Sequence, residues 1–165
     1  MPAKRFAAES KVAVAKSRGE IDALLRHWGC DGIRWADHFS EGRTVLEFIW
    51  SHDDDQYLAR LELQLPGEDE LRAGARHAST GNFMPTKYAR LRKEAGQTEM
   101  RILLLWLKAS FNAIDLGIVE AATVFLPFLV GADGQTVAQV ALPKMRSLLT
   151  RGAQSMFHQI GPGDG

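Results

Sequence analysis

"RTVLEFIWSHDDDQYLARLELQLP", residues 43–66, decides the fold. In its first part Leu46, Phe48 and Trp50 alternate with Glu47. In its last part Tyr57, Ala59, Leu61, Leu63 and Leu65 alternate with Arg60, Glu62 and Gln64. A period of two puts the apolar set on one face of a strand and the charged set on the other. Residues 43–50 and 57–66 therefore read as two strands. The short polar link 51–56 makes them an antiparallel hairpin with one buried face.

A third strand precedes them. In "DGIRWADH" (31–38), Ile33 and Trp35 alternate with Arg34 and His38. The connector "FSEGR" is short, so this run pairs beside 43–50. Upstream, Ile21, Leu24, Leu25 and Trp28 recur at helical spacing. Ser17 is the expected cap, with Glu20 three residues on and Gly29 as the stop, giving a helix over 17–28. Pro66 and Gly67 close the last strand. Residues 67–86 read as a mobile loop with a short helical turn at 68–76. The chain then turns helical: a basic segment from Lys87 loosened at Gly96, an apolar helix 98–116, a second apolar helix 118–130 strained near Pro127, a turn 131–136, and a final helix 137–152. Residues 1–16 read as loosely ordered or weakly helical, and 153–165 as a flexible tail.

The order is that of an α+β protein: an N-terminal helix, a three-stranded antiparallel sheet, and a helical C-terminal half packed on the sheet. With 165 residues the chain is expected to form a single domain. Helix 98–116 is the expected cover for the sheet's apolar face. Trp28, Trp35, Trp50 and Trp106 fall one on each major element and are expected to meet in one core.

Lys plus Arg equals Asp plus Glu at 20 each, so no global field attracts nucleic acid and any such site must be a local patch. One cysteine, Cys30, excludes an intrachain disulfide and reads as a small core residue. The N-terminus has no continuous apolar stretch of the secretory kind, and no run is long enough to span a bilayer. A cytoplasmic location in a bacterial host cell, with no membrane contact, is the expectation.

Three constellations carry chemistry. First, Lys87, Arg90, Arg92 and Lys93 lie within seven residues beside Tyr88, after Arg72, Arg76, His77 and Phe83. Cations on one segment contact phosphates, and interleaved aromatics stack bases. The alternative is a solvated face with pairs such as Arg90–Glu94. Second, Arg101, Lys108, Asn112 and Asp115 project within about 60° of one another at 100° per residue, one polar stripe on an otherwise apolar helix. Two explanations compete: the stripe faces solvent or pairs with internal acids, or Arg101 and Lys108 hold an anionic ligand across ~10 Å.

Third, helix–three strands–helix with acids on the strands resembles restriction-endonuclease-like cores. Glu47 and Glu62 would be the magnesium-holding acids, with His38 and Glu20 nearby. The third-strand motif would read Glu62-Leu63-Gln64, with Gln64 where those cores carry lysine. The alternative is cross-strand pairing of Glu47 and Glu62 with Arg34 or Arg60. The acids of "SHDDD" (51–55) read as a charged turn. No zinc spacing, phosphate-cradling glycine loop, dinucleotide fingerprint or nucleophile elbow is present, so no cofactor and no resident metal are expected.

Residues 100–145 resemble the C-terminal half of small phage- and prophage-encoded proteins. Those show an Arg before an apolar run, "IKAKLEAVE-S-GI", an acidic-aromatic "EEFL" segment and "LPDG-TV". The matching residues here are Arg101, Leu107-Lys108-Ala109, Ile114, Gly117-Ile118, Phe125-Leu126, Asp133-Gly134 and Thr136-Val137. The strand ending "LQLP" (63–66) is similar to that family's "LPLP". The segment "AATVFLPF" (121–128) replaces the family's acidic one. The resemblance implies a phage or mobile-element context and no activity.

The expected function is a phage-type accessory protein of DNA metabolism that binds single-stranded nucleic acid without catalysis, working as a homo-oligomer. Its site would comprise Lys87, Arg90, Arg92, Lys93, Arg101 and Lys108. The alternatives are an interaction protein acting on a host or phage factor or serving as a virion component, and a magnesium-dependent nuclease built on Glu47, Glu62 and Gln64.

Overall fold

The structure, a computed structural model, describes residues 11–52 and 55–146. The chain runs α1 (Val14–His27), β1 (Asp31–His38), β2 (Arg43–His52), β3 (Asp55–Gln64), α2 (Glu68–Gly74), α3 (Pro85–Asp115) and α4 (Ala121–Phe125), followed by a 3-10 turn at Leu126–Phe128. Residues 137–146 are again helical. The fold is α+β, and among the described residues no helix is long and apolar enough to cross a membrane.

The strands lie in the order β1-β2-β3, each antiparallel to its neighbour. The alternation sets the register: Leu46 faces Leu61, Phe48 faces Ala59, and Glu47 faces Arg60 on the opposite side of the sheet. The apolar face is covered by α1 and α3. Ile21 and Leu25 of α1 and Met100, Leu104, Leu107 and Phe111 of α3 join Leu46, Phe48 and Leu61 in one cluster. Each of the larger apolar side chains in it contributes about 1.5–3 kcal/mol by leaving water.

Phe125 is the hub of the aromatic part of this core. Its ring lies 5.5 Å from Phe111, 5.8 Å from Phe48, 6.1 Å from Trp106 and 6.4 Å from Trp50. Trp28 stacks on Phe111 at 4.8 Å. All four tryptophans thus pack against one core, as expected. Trp35 packs at the edge of this core, where its indole N–H donates to Asp22 on α1 at 2.9 Å and the Arg18 guanidinium sits over its ring. Cys30 is a core residue, and burial, with Asp31 adding to it, pushes its thiol up to about 11.

Several boundaries differ from the sequence reading. Helix α1 begins at Val14, so Ser17 caps nothing and is fully buried inside the helix. The strands of the second hairpin extend to His52 and from Asp55, so most of the polar link is strand, and residues 53–54 lie outside the described region. The expected break at Gly96 is absent: α3 is continuous over 31 residues. Gly96 packs where α1 begins, and a Cβ there would meet Val14 Cγ2 at 3.6 Å, an ordinary contact. Packing against α1 overrides the weak helix propensity of one glycine.

The expected helix over 118–130 shrinks to α4 and the 3-10 turn, in which Pro127 occupies a first-turn position that needs no N–H. The chain then returns to the sheet, where Val130 N–H donates to the Leu58 carbonyl at 2.8 Å. The turn at 131–136 forms as expected and leads into a reciprocal cap: Thr136 N–H donates to Gln139 Oε1, and Gln139 N–H to Thr136 Oγ1. Pro143 lies inside the helical stretch 137–146. The rest of the expected final helix, the tail and residues 1–10 lie outside the described region.

Candidate nucleic-acid interface

Between residues 71 and 93 the chain carries six Lys or Arg and no Asp or Glu: Arg72, Arg76, Lys87, Arg90, Arg92 and Lys93. Three elements gather them. Helix α2 ends at Gly74, an exposed segment follows over 76–84, and α3 begins at Pro85. No residue of the first twelve of α3, 85–96, is buried, whereas Gln97 to Phe111 supply the residues buried against the core. At 1.5 Å per residue α3 is about 46 Å long. Its N-terminal third therefore forms an arm beside α2, with Leu91 packed against Gly74.

The expected mobile loop is not loose. Met84 N–H donates to the Ala75 carbonyl at 2.9 Å, His77 N–H to Asn82 at 2.8 Å and Gly81 N–H to His77 at 2.9 Å. Gly81 takes φ +69°, a left-handed conformation that glycine adopts at little cost. Side chains add ties: Lys87 Nζ donates to the Arg76 carbonyl at 3.1 Å, and Arg76 Nη1 to the Gly81 carbonyl at 3.1 Å. Phe83 and Tyr88 lie 5.8 Å apart, with the Arg72 guanidinium over both rings. The result is a pre-shaped cationic head that exposes Phe83 and Met84.

Of the predicted site residues, Lys87, Arg90, Arg92 and Lys93 share this head. Among the described residues Arg90 makes a long pair with Glu94, at 3.7 Å. Arg92 and Lys93 are exposed, with no ion pair among the described residues. Arg101 and Lys108 are elsewhere. Both point at α1 and converge on one carboxylate: Arg101 Nη1 lies 3.5 Å and Lys108 Nζ 3.7 Å from Glu20 Oε2. The polar stripe on α3 thus has an internal counter-charge, and the expected phosphate clamp is not assembled. Partly exposed pairs of this length contribute at most about 1 kcal/mol each.

The nuclease arrangement is not assembled either. Glu47 is buried on the open face of the sheet, accepting from Arg60 Nε at 2.8 Å and from the Arg34 guanidinium. Glu62 faces Arg43 at 3.4 Å. Gln64 ends β3, and His38 shares the shallow depression of Glu47 and Glu62 without bonding either. Glu20 is on the helix-covered side. Guanidinium groups occupy the carboxylates a metal would need, and among the described residues no three His, Cys, Asp or Glu are grouped to hold one. Part of "SHDDD" lies outside the described residues.

These pairs set the acid response. For Glu47, burial raises the carboxyl, but hydrogen bonds from Arg60 and Arg34 outweigh it and hold it below its usual 4.5. For Asp37, the Arg18 hydrogen bond dominates and holds it below 3.8 against burial, with Thr44 helping. A carboxylate depressed in the folded state stabilises above its unfolded value and loses that stabilisation as pH falls through its folded value. Melting temperature should therefore hold from pH 7 to about 5 and fall below about 4, with a shallower fall in Glu47→Gln. A melting temperature unchanged down to about pH 3 would contradict this.

No family model, curated protein or solved structure matches the chain.

The signal for the head was present in the sequence as the acid-free run 71–93. Its hydrogen-bonded shape was not, because it rests on backbone hydrogen bonds that composition does not report.

Proposed function

We propose that this protein binds nucleic acid through the cationic head, without catalysis, as an accessory protein of DNA metabolism of the phage type that its C-terminal half resembles. One observation carries the reading: six cations with no intervening acid on an exposed, hydrogen-bonded surface that also presents an aromatic pair. In a chain of zero net charge the attraction is local, so a small set of phosphates is contacted. The test is fluorescence anisotropy of a labelled oligonucleotide with and without magnesium. Binding that weakens with salt, with no cleavage in either condition, supports the reading. Magnesium-dependent cleavage would favour the nuclease.

A second reading, an interaction protein, has its own observation. Leu116 and Ile118 are each 74% exposed at the end of α3. Beside Ile118 opens a cavity of about 770 Å³ lined by Trp28, Trp50, Phe111 and Phe125. An apolar rim over an aromatic cavity suits a subunit or partner contact, including the expected homo-oligomer. The two readings use opposite ends of α3 and are separable by variants at either end.

A further inference from the structure

A second groove opens directly beside the head. It has a volume of about 390 Å³, within the roughly 300–1,000 Å³ of small-molecule pockets. Its lining includes apolar Leu63, Leu65 and Met100 and the β1–β2 hairpin tip, and it shares three residues with the head, Leu71, Tyr88 and Arg92. Tyr88 also belongs to the head's aromatic pair. Phe39, 76% exposed, stands on the hairpin at the groove's edge.

The charges along the groove decide what it accepts. Four acids line it, Asp37, Glu41, Glu68 and Glu99. Three are held by arginines: Asp37 by Arg18 at 3.0 Å, Glu41 by Arg43 at 2.9 Å and Glu68 by Arg72 at 2.7 Å. Glu99 is engaged as well. Arg18 and Arg43 line the groove as well, so its charges nearly cancel and give a phosphate little to hold, whereas a neutral ring with donor groups on its edge would meet carboxylate acceptors and an apolar floor. Arg92, a groove cation with no ion pair among the described residues, is shared with the head, where a strand's phosphates would lie.

We infer that the groove takes one unpaired base of a strand whose phosphates lie on the head, and so selects single-stranded over duplex nucleic acid. This rests on the head being the nucleic-acid interface. A duplex keeps its bases stacked and paired inside and has none to offer without unpairing; a single strand offers one freely.

The experiment compares a fluorescein-labelled mixed-sequence 20-mer with the same strand annealed to its complement, at one salt concentration, using the full chain. The filling variant is Gly67→Phe. Gly67 lines the groove, has open space around a built Cβ, and has φ −56° and ψ 150°, which any residue adopts. The wild type should bind the single strand about tenfold tighter than the duplex, and Gly67→Phe should lose about that factor on the single strand alone, the scale of one stacked base. Phe39→Ala, at an exposed position, should shift the same way by a smaller factor and covers the case in which Gly67→Phe fails to melt cooperatively. Equal affinity of the wild type for both forms, or folded variants that keep the full preference, would overturn the inference and leave the head standing. Binding of neither form would remove the head, and this inference with it.

Discussion

Phe125→Ala lowers the unfolding free energy by about 4 kcal/mol, the largest effect expected of any single apolar truncation here. The residue is 2% exposed and touches rings from the sheet, from α3 and, through Phe111, from the stack with Trp28. It belongs to a five-residue helix that has little intrinsic stability. This ring is the deepest anchor of the segment 118–130, beside Phe128, Leu129 and the Val130–Leu58 hydrogen bond, and truncation leaves an aromatic-walled void next to an existing cavity. In a chain of this size the melting temperature should drop by roughly 10 °C. Urea denaturation with tryptophan fluorescence checks it, because Trp50 and Trp106 both lose a ring neighbour. A loss below about 1 kcal/mol would show that the segment is not part of the core.

The second large effect is on binding. Arg76→Glu with Lys87→Glu and Lys93→Glu should weaken oligonucleotide affinity by roughly 100- to 1,000-fold at about 50 mM salt, the scale of three lost phosphate contacts. Stability should change little, since all three are on the surface outside the core cluster. Lys87 and Arg76 also tie the 76–84 segment through carbonyl bonds, so their loss loosens the head as well as reversing its charge. Arg101→Ala with Lys108→Ala is the contrast. These cations sit roughly 12 and 22 Å along α3 from Lys93, about one to two Debye lengths, and share Glu20, so affinity should change by no more than about twofold. If the pair at 101 and 108 governed binding and the triple variant did not, the site would have been placed at the wrong end of the helix.

The sheet was legible because alternation is local. Leu46, Glu47 and Phe48 declare their faces without reference to anything else in the chain, and the observed register follows. The helical half was less legible for two distinct reasons. Gly96 looks like an interruption in sequence, but packing against Val14 keeps the helix whole. The stretch "IVEAATVFLPFLV" (118–130) has the composition of a buried helix, and composition does not distinguish that from a short helix and turn packed on the core.

The site was legible in part. Charge along 87–93 marks the head. A helical wheel places Arg101 and Lys108 on one face but says nothing of the opposing helix, and Glu20 on α1 is the fact that reassigns them. Glu47 shows the same limit: its strand face was readable, its enclosure by Arg34 and Arg60 was one of two options that only the pairing of strands resolves. The groove beside the head joins residues from six elements and left no local pattern to read.

The central claim is that the cationic head formed by the acid-free run 71–93 meets phosphates. The most direct measurement is the dissociation constant for a labelled single-stranded 20-mer between about 50 and 200 mM salt. With four to six phosphates engaged, a plot of log affinity against log salt should fall with a slope of about −3 to −4, and the triple glutamate variant should flatten it. A slope near zero, or no binding at the lowest salt by a chain that melts cooperatively, would contradict the claim.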